Sequence, residues 1–247
     1  MIRRWGRDGG PTLVLGHRGA SAHALENTLT AFRRARADGA DGVELDVRLC
    51  ASGEVVVFHD DDLKRLADRP ERVAEMPFAA LREVSLTGGE RIPSLDEVLE
   101  EIGPDLLVNV ELKVRETESG HRLAGATAAI LRRQPALRRI LVSSFHPAAL
   151  GWFRAALPDC ATGLLFGPSQ SRWLRGAWSR VVLRPMALHP EHTLVDDESV
   201  RRWHGEGHAV HAWTVDDPVE LLRVAACGVD GVIANDPALA RTTLARE

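Results

Sequence analysis

Two histidines, an arginine, a lysine and three carboxylates stand in this chain where apolar strands give way to turns, the usual place for reactive side chains in α/β proteins. Gly16-His17-Arg18-Gly19 follows the apolar run Thr12 to Leu15, so a basic pair lies just past a short buried strand, between glycines that let the backbone turn. In Val43-Glu44-Leu45-Asp46-Val47 the acids are two residues apart. Side chains alternate faces along a strand, so Glu44 and Asp46 point the same way. Unpaired carboxylates buried in an apolar strand carry a heavy desolvation cost, and a bound cation would remove it. A third extended run, Glu54 to Phe58, delivers His59-Asp60 at its end. Further on, Asn109, Glu111 and Lys113 share one face of the strand Leu106 to Leu112, polar where a barrel interior would carry branched apolar residues. Lys113 stands out, since of 31 basic residues only Lys64 and Lys113 are lysine.

The elements that must position these groups alternate regularly. Helical spacing of Leu29, Phe32, Ala35 and Arg36 stops at Gly39, an expected C-terminal cap. Ser94 with Glu97 three residues on gives a capping box at the start of an amphipathic stretch to Ile102. Helices are expected over 119 to 133, 147 to 156, 196 to 205, 217 to 226 and 236 to 245, with a weaker one from Arg172 to Trp178. Strands are expected at Ile140 to Ser143, 161 to 166, Val181 to Leu188, Ala209 to Trp213 and Gly231 to Ala234. Strands and helices alternating in this way imply a parallel sheet, and eight units imply closure into a (β/α)₈ barrel. At 247 residues the chain has the length of one such barrel, so residues 1–247 are expected to form a single TIM-barrel domain. Residues 61–91 break the rhythm with Met76-Pro77 and Gly88-Gly89 and read as a small insertion over the C-terminal face. That face carries the active sites of such barrels, and His17, Glu44, Asp46, His59, Glu111, Lys113, Ser144, His189 and Trp213 are read at the C-terminal ends of strands.

His17-Arg18-Gly19, Glu26-Asn27-Thr28, Gly39-Ala40-Asp41, Glu44-Leu45-Asp46-Val47 and His59-Asp60 resemble the signature of the glycerophosphodiester phosphodiesterases. Asn109-Val110-Glu111-Leu112-Lys113, Ser143-Ser144-Phe145, Trp213-Thr214-Val215 and Gly231-Val232-Ile233 continue the likeness. The resemblance implies a hydrolase of lipid and glycerol metabolism that releases glycerol 3-phosphate and an alcohol from a small glycerophosphodiester. It assigns Glu44, Asp46 and Glu111 to a metal, and oxygen ligands suit Mg²⁺ or Ca²⁺. It makes His17 and His59 the acid/base pair, with His17 as general acid and His59 as general base, roles that histidine's ordinary pKa of about 6.5 suits. Arg18 could fork two phosphate oxygens while Lys113 acts as a point charge. Phe58 and Trp213 are expected as apolar walls against the substrate. Glu26 and Asn27 would orient other site groups, Asn27 also being a candidate cap for the first helix. Asp60 to Asp62 reads as a solvated run, and His189, His192 and His211 as ordinary barrel histidines. The chain departs from the pattern at Leu25, where proline is usual, at Cys50-Ala51-Ser52-Gly53, and at Asn235-Asp236-Pro237.

A net charge of -4 gives no basic face for nucleic acid. Three cysteines, at 50, 160 and 227, fit neither a disulfide framework nor a metal spacing. No apolar stretch long enough for a signal peptide or a membrane span is found, so a cytoplasmic location without a membrane span is expected. Two other functions compete. One is a lysophospholipase D-type activity on lipid headgroups, for which Trp173, Leu174 and Trp178 amid arginines in Ser171 to Arg184 would offer a surface contact. The other is a noncatalytic barrel that binds phosphorylated ligands. Its mark would be loss of His17, His59 or a carboxylate, and all are present.

Overall fold

Eight parallel strands close on themselves in the computed structural model, which describes residues 5–6, 10–114, 117–170 and 177–245. In chain order the elements are β1 (Leu13–Gly16), α1 (Leu29–Ala37), β2 (Gly42–Leu49), β3 (Val55–Val57), α2 (Lys64–Ala67), α3 (Phe78–Glu83), α4 (Leu95–Ile102), β4 (Leu107–Leu112), α5 (Thr117–Leu131), β5 (Ile140–Ser144), α6 (Pro147–Ala156), β6 (Ala161–Phe166), α7 (Ala177–Leu183), β7 (Ala187–Pro190), α8 (Asp197–Gly205), β8 (Ala209–Ala212), α9 (Pro218–Ala226), β9 (Gly231–Ala234) and α10 (Pro237–Leu244). Each barrel strand pairs in parallel with the next, and β9 returns to β1. The expected (β/α)₈ barrel is therefore the observed fold.

Alternation along the strands sorts the side chains. Val43, Leu45, Val47, Val108, Val110 and Leu112 pack outward in one cluster with Phe32, Leu99 and Phe153 of the helix layer. Their neighbours Glu44, Asp46, Asn109 and Glu111 take the inner face, all buried. Ser94 forms the expected capping box, its hydroxyl accepting from Glu97 N while Glu97 accepts from Ser94 N. The close approach of β2 to β4 needs Gly42, where a Cβ would meet Leu107 O at 2.6 Å.

Two elements differ from expectation. The run Glu54 to Phe58 is not a barrel strand, because β3 folds back antiparallel on β2, pairing Val47 with Val57. β2 overshoots the barrel, and the returning β3 brings the chain back until Phe58 N donates to Asp46 O. His59 thus reaches the carboxylates by reversal. The second difference is Val181 to Leu188, whose β-branched start reads as a strand. Ala177–Leu183 is helical instead, with Val181 and Val182 about two-thirds exposed, too open for a barrel strand. Arg184 takes a positive φ before Pro185, and only Ala187–Pro190 finds strand neighbours. The helix expected from Arg172 to Trp178 falls largely outside the described residues, as do Trp173 and Leu174 of the surface contact considered above. No helix among the described residues is long and apolar enough to cross a membrane.

The lower barrel is closed by Trp5, which packs with Leu13, Leu15, Leu107, Leu141, Ala187 and Ile233. Its carbonyl sets the direction of a buried hydrogen-bond chain. A carbonyl only accepts, so His211 donates from Nε2 to Trp5 O at 2.6 Å. The neutral ring then offers Nδ1 as acceptor to His189 Nε2 at 3.2 Å, and His189 Nδ1 accepts from Asn109 Nδ2 at 3.5 Å. Burial depresses the pKa of both histidines, that of His189 strongly. The unfolded chain therefore takes up protons below about pH 6.5 that the native barrel refuses, and stability should fall as pH drops from 6.5 toward the lower native pKa values. A loss of about 1.4 kcal/mol per pH unit for each buried histidine is the upper limit. Urea midpoints at pH 7.5, 6.5 and 5.5 would measure it, and equal midpoints would refute the neutral chain.

Candidate active site

Parallel register places Glu44 beside Asn109 and Asp46 beside Glu111 on the inner face of β2 and β4. One oxygen from each of Glu44, Asp46 and Glu111 lies within 4.8 Å of the other two. Two cations face them. Lys113 Nζ lies 2.8 Å from Glu111 Oε1 and 3.2 Å from Asp46 Oδ1, and Arg18 Nε lies 3.2 Å from Asp46 Oδ2. Burial would raise the Asp46 carboxyl, but Lys113 and Arg18 hold it well below the usual range. Glu44 moves the other way, pushed well above the usual carboxylate range by burial and by the charges of Asp46 and Glu111. Burial also raises Glu111, against the pull of Lys113. Asp46 Oδ1 is fully buried without a hydrogen bond of good geometry despite the nearby ammonium. Three buried oxygens from two rigid strands, one of them unsatisfied, with no thiolate in the cluster, fit a hard divalent cation.

The loop after β1 wraps this cluster. Arg18 and Asn27 both take left-handed backbone, with φ of 54° and 58°, a conformation found where surrounding structure enforces it. Several contacts do so here. Arg18 N donates to Glu44 Oε2 at 3.0 Å and Asn27 N to Arg18 O at 2.9 Å. Gly19, at φ 86°, presses on α1 so closely that a Cβ would stand 2.6 Å from the backbone of Ala31. Asn27 exchanges two hydrogen bonds with Asp46, donating from Nδ2 to Oδ2 and accepting the Asp46 amide. The N-cap of α1 is Thr28, whose hydroxyl accepts from Ala31 N. Glu26 Oε1 accepts from Arg18 Nη1 at 2.8 Å.

His17 and His59 flank the cluster. Asn235 Nδ2 and N both donate to the Asp216 carboxylate, at 2.5 and 2.7 Å, which turns its amide oxygen toward His17. That oxygen accepts from His17 Nδ1 at 2.7 Å, leaving Nε2 on the side of Glu44, 3.9 Å from Oε2. His59 Nδ1 donates to Asp60 Oδ1 at 2.7 Å, so its Nε2 is also the free nitrogen. The partners differ in charge: His17 has a neutral amide, His59 a carboxylate. Burial lowers both pKa values, aided by Arg18 at His17 and by Lys113 at His59, while Asp46 and Asp60 oppose the shift at His59.

The structure thus brings His17, Arg18, Glu26, Asn27, Glu44, Asp46, His59, Glu111 and Lys113 to one end of the barrel. Trp213 is half-buried at the rim, its Nε1 donating to His189 O and its ring edge-on to Phe145. Phe58 is elsewhere. It is 1% exposed and packs with Cys50, Leu63, Leu66, Val73 and Leu81 under the 61–91 insertion, so it presents no wall to a substrate. Asp60 is not merely solvated, since it holds His59. Arg48, which the spacing of Glu44 and Asp46 would have placed on the same face of β2, donates from Nε and Nη2 to His59 O. Arg65 and Asn235 touch the site without a spacing that reveals it. Two clefts open at the rim. One, about 230 Å³, is lined by Arg48, Glu111, Lys113, Phe145 and His146; the other, about 510 Å³, by His17, Arg18, Ser21, Glu26, Asp216 and Asn235.

A closed (β/α)₈ barrel whose C-terminal rim joins buried carboxylates to paired histidines and phosphate-type cations defines a barrel hydrolase of anionic substrates. The chain belongs to the glycerophosphoryl diester phosphodiesterase family, whose model matches residues 17–239, and is by that membership a phosphoric diester hydrolase. It is 33% identical over 238 residues to a glycerophosphodiester phosphodiesterase of Caldanaerobacter subterraneus, covering 92% of this chain and 95% of that one. Among solved structures, a phosphodiesterase from Oleispira antarctica in complex with the product sn-glycerol-3-phosphate matches with a TM-score of 0.86 and 29% identity, covering 95% of this chain and 97% of that one. A glycerophosphodiester phosphodiesterase from Thermotoga maritima matches with a TM-score of 0.79 and 32% identity, over 94% and 97% of the two chains.

Proposed function

We propose that this protein hydrolyses small glycerophosphodiesters to glycerol 3-phosphate and an alcohol, with a divalent cation, Mg²⁺ or Ca²⁺, held by Glu44, Asp46 and Glu111. The observation that carries this reading is the convergence of three buried carboxylates, Arg18 and Lys113 between two histidines whose Nε2 atoms are both free. When bound, such a cation supplies Lewis-acid neutralisation of the phosphoryl charge. Arg18 and Lys113, whose charges Asp46 and Glu111 maintain against burial, share that neutralisation from the chain itself.

His59 serves as the base. Its Nδ1–H is anchored on the Asp60 carboxylate, which stabilises the imidazolium formed when Nε2 takes a proton from the attacking hydroxyl. Attack by water gives glycerol 3-phosphate directly, whereas attack by the substrate's glycerol hydroxyl gives a cyclic phosphate that water then opens. As the new P–O bond forms, the bond to the alcohol breaks, and His17 Nε2–H delivers a proton to the departing oxygen. His17 suits the acid role because burial and neighbouring Arg18 lower its pKa, against the support of the Asn235 amide oxygen, so its proton is more readily given up. The arriving phosphodiester anion favours the protonated ring before that step. Trp213 and Phe145 offer an apolar surface at the rim against which the glycerol chain can lie.

Release of glycerol 3-phosphate from glycerophosphocholine and glycerophosphoethanolamine tests the proposal. Cation-dependent release, lost with EDTA and restored by Mg²⁺ or Ca²⁺, is the expected outcome. Turnover of lysolipid instead of either diester would transfer the assignment to a lysophospholipase D-type activity, and silence on all of them would leave a binding protein.

A further inference from the structure

The 61–91 insertion sends one side chain back to the site. Arg65, on α2, donates from Nη1 to Glu26 Oε2 at 2.8 Å and from Nη2 to Glu26 Oε1 at 2.7 Å, while its Nε donates to Asp60 Oδ2 at 2.6 Å. The fork takes both oxygens of one carboxylate and the flank takes a second, an arrangement that only a planar guanidinium can make. Each carboxylate has a further partner in the site. Glu26 Oε1 also accepts from Arg18, and Asp60 Oδ1 from His59 Nδ1. Arg18 and His59 lie on different segments, the loop after β1 and the return of β3, and Arg65 is the residue through which both are braced. The geometry points to Arg65 as a positioning residue for the hydrolysis, coupling the orientation of the phosphate-binding Arg18 to that of the His59 ring through Glu26 and Asp60.

Each carboxylate needs this second partner. Asp60 has two oxygens and one histidine, and Arg65 on its outer oxygen fixes the rotation that points Oδ1 at Nδ1. Without it Asp60 turns freely and its negative charge is no longer offset. The charged groups acting on His59 are then Asp46 and Asp60, which favour the imidazolium, against Lys113 and Arg18, which oppose it. Removing Arg65 leaves the Asp60 charge stronger. Glu26 likewise loses two of its three guanidinium contacts and holds Arg18 by one bond. α2 is only four residues long and Arg65 is about half exposed, so the brace tightens a site that the barrel has already assembled.

This inference rests on the hydrolysis proposed above, so the wild-type enzyme, loaded with Mg²⁺ or Ca²⁺, is assayed first on glycerophosphocholine and glycerophosphoethanolamine. Failure there would defeat that reading and not reach Arg65. With wild-type release in hand, Arg65→Ala is expected to lower kcat about 10- to 100-fold, the usual cost of losing a group that orients a reacting one. The acid limb of its kcat/KM profile should move to higher pH as His59 becomes more basic. Arg65→Lys keeps the charge but cannot bridge both carboxylates, and should recover only part of kcat. Melting temperature and cation affinity should stay close to wild type in both, because exposed ion pairs add little stability and the cluster is untouched. An unchanged kcat and acid limb in Arg65→Ala, or full recovery in Arg65→Lys, would overturn the brace. A large drop in melting temperature accompanying the loss of activity would assign Arg65 a structural role instead.

Discussion

Alanine at His17 and at His59 should each remove about 10²- to 10⁴-fold of the rate on natural diesters, the usual worth of a positioned proton-transfer group, but the two variants should part on an activated substrate. A glycerophosphodiester of p-nitrophenol has a leaving oxygen that needs no proton. If His17 acts as the acid, His17→Ala should recover most of its rate on that substrate, while His59→Ala stays impaired because the attacking hydroxyl still needs a base. The structural ground is the difference in partner, an Asp216-fixed amide at His17 against a carboxylate at His59. The opposite pattern would exchange the roles. The pH profile carries a second signature. Burial followed by Lys113 lowers the His59 pKa, so the base is neutral above a value under 6.5, and the acid limb of kcat/KM should have its midpoint below that. An acid limb above pH 7 would point to another base.

Addition of Mg²⁺ or Ca²⁺ to the cation-free protein should raise its melting temperature by about 5–10 °C at a hundredfold excess over Kd, since that excess adds about 2.7 kcal/mol and a chain of this size gains about 2–4 °C per kcal/mol. The expected source is the cluster of Glu44, Asp46 and Glu111. Burial together with the charges of Asp46 and Glu111 pushes Glu44 toward its protonated form, a sign that three carboxylates are held against mutual repulsion with two cations to offset them. Glu44→Gln relieves that repulsion. It should leave the cation-free protein as stable as wild type or more so, while abolishing both the cation response and turnover. Asp46→Asn should differ, because Arg18, Lys113 and Asn27 all converge on Asp46 and lose their common partner. Melting curves with and without the ion would check both variants, and a cation response retained in Glu44→Gln would place the ion elsewhere.

Local pattern determined much of this protein. Two-residue spacing put Glu44 with Asp46 on one face of their strand, and Glu111 with Lys113 on one face of theirs, because strand alternation is a local property that neither register nor closure alters. Capping chemistry marked α4, and the recurrence of strand and helix gave the barrel. Arg48 was within reach of the same alternation. What tertiary structure decided was which segments face each other. The run ending at His59 looks like any strand in one dimension; only its antiparallel return on β2 shows that the histidine comes back to Asp46 rather than rising from the barrel wall. Phe58 beside it reads as a rim aromatic until the insertion's own apolar core claims it. Val181 and Val182 carry strand propensity, but a strand exists only where neighbours offer hydrogen bonds, and β6 and β8 meet the chain at Ala187. Arg65 and Asn235 are farther still from sequence logic. Their partners Glu26 and His17 lie 39 and 218 residues away, and no periodicity spans such distances; closure of the ring and folding of the insertion bring those side chains together.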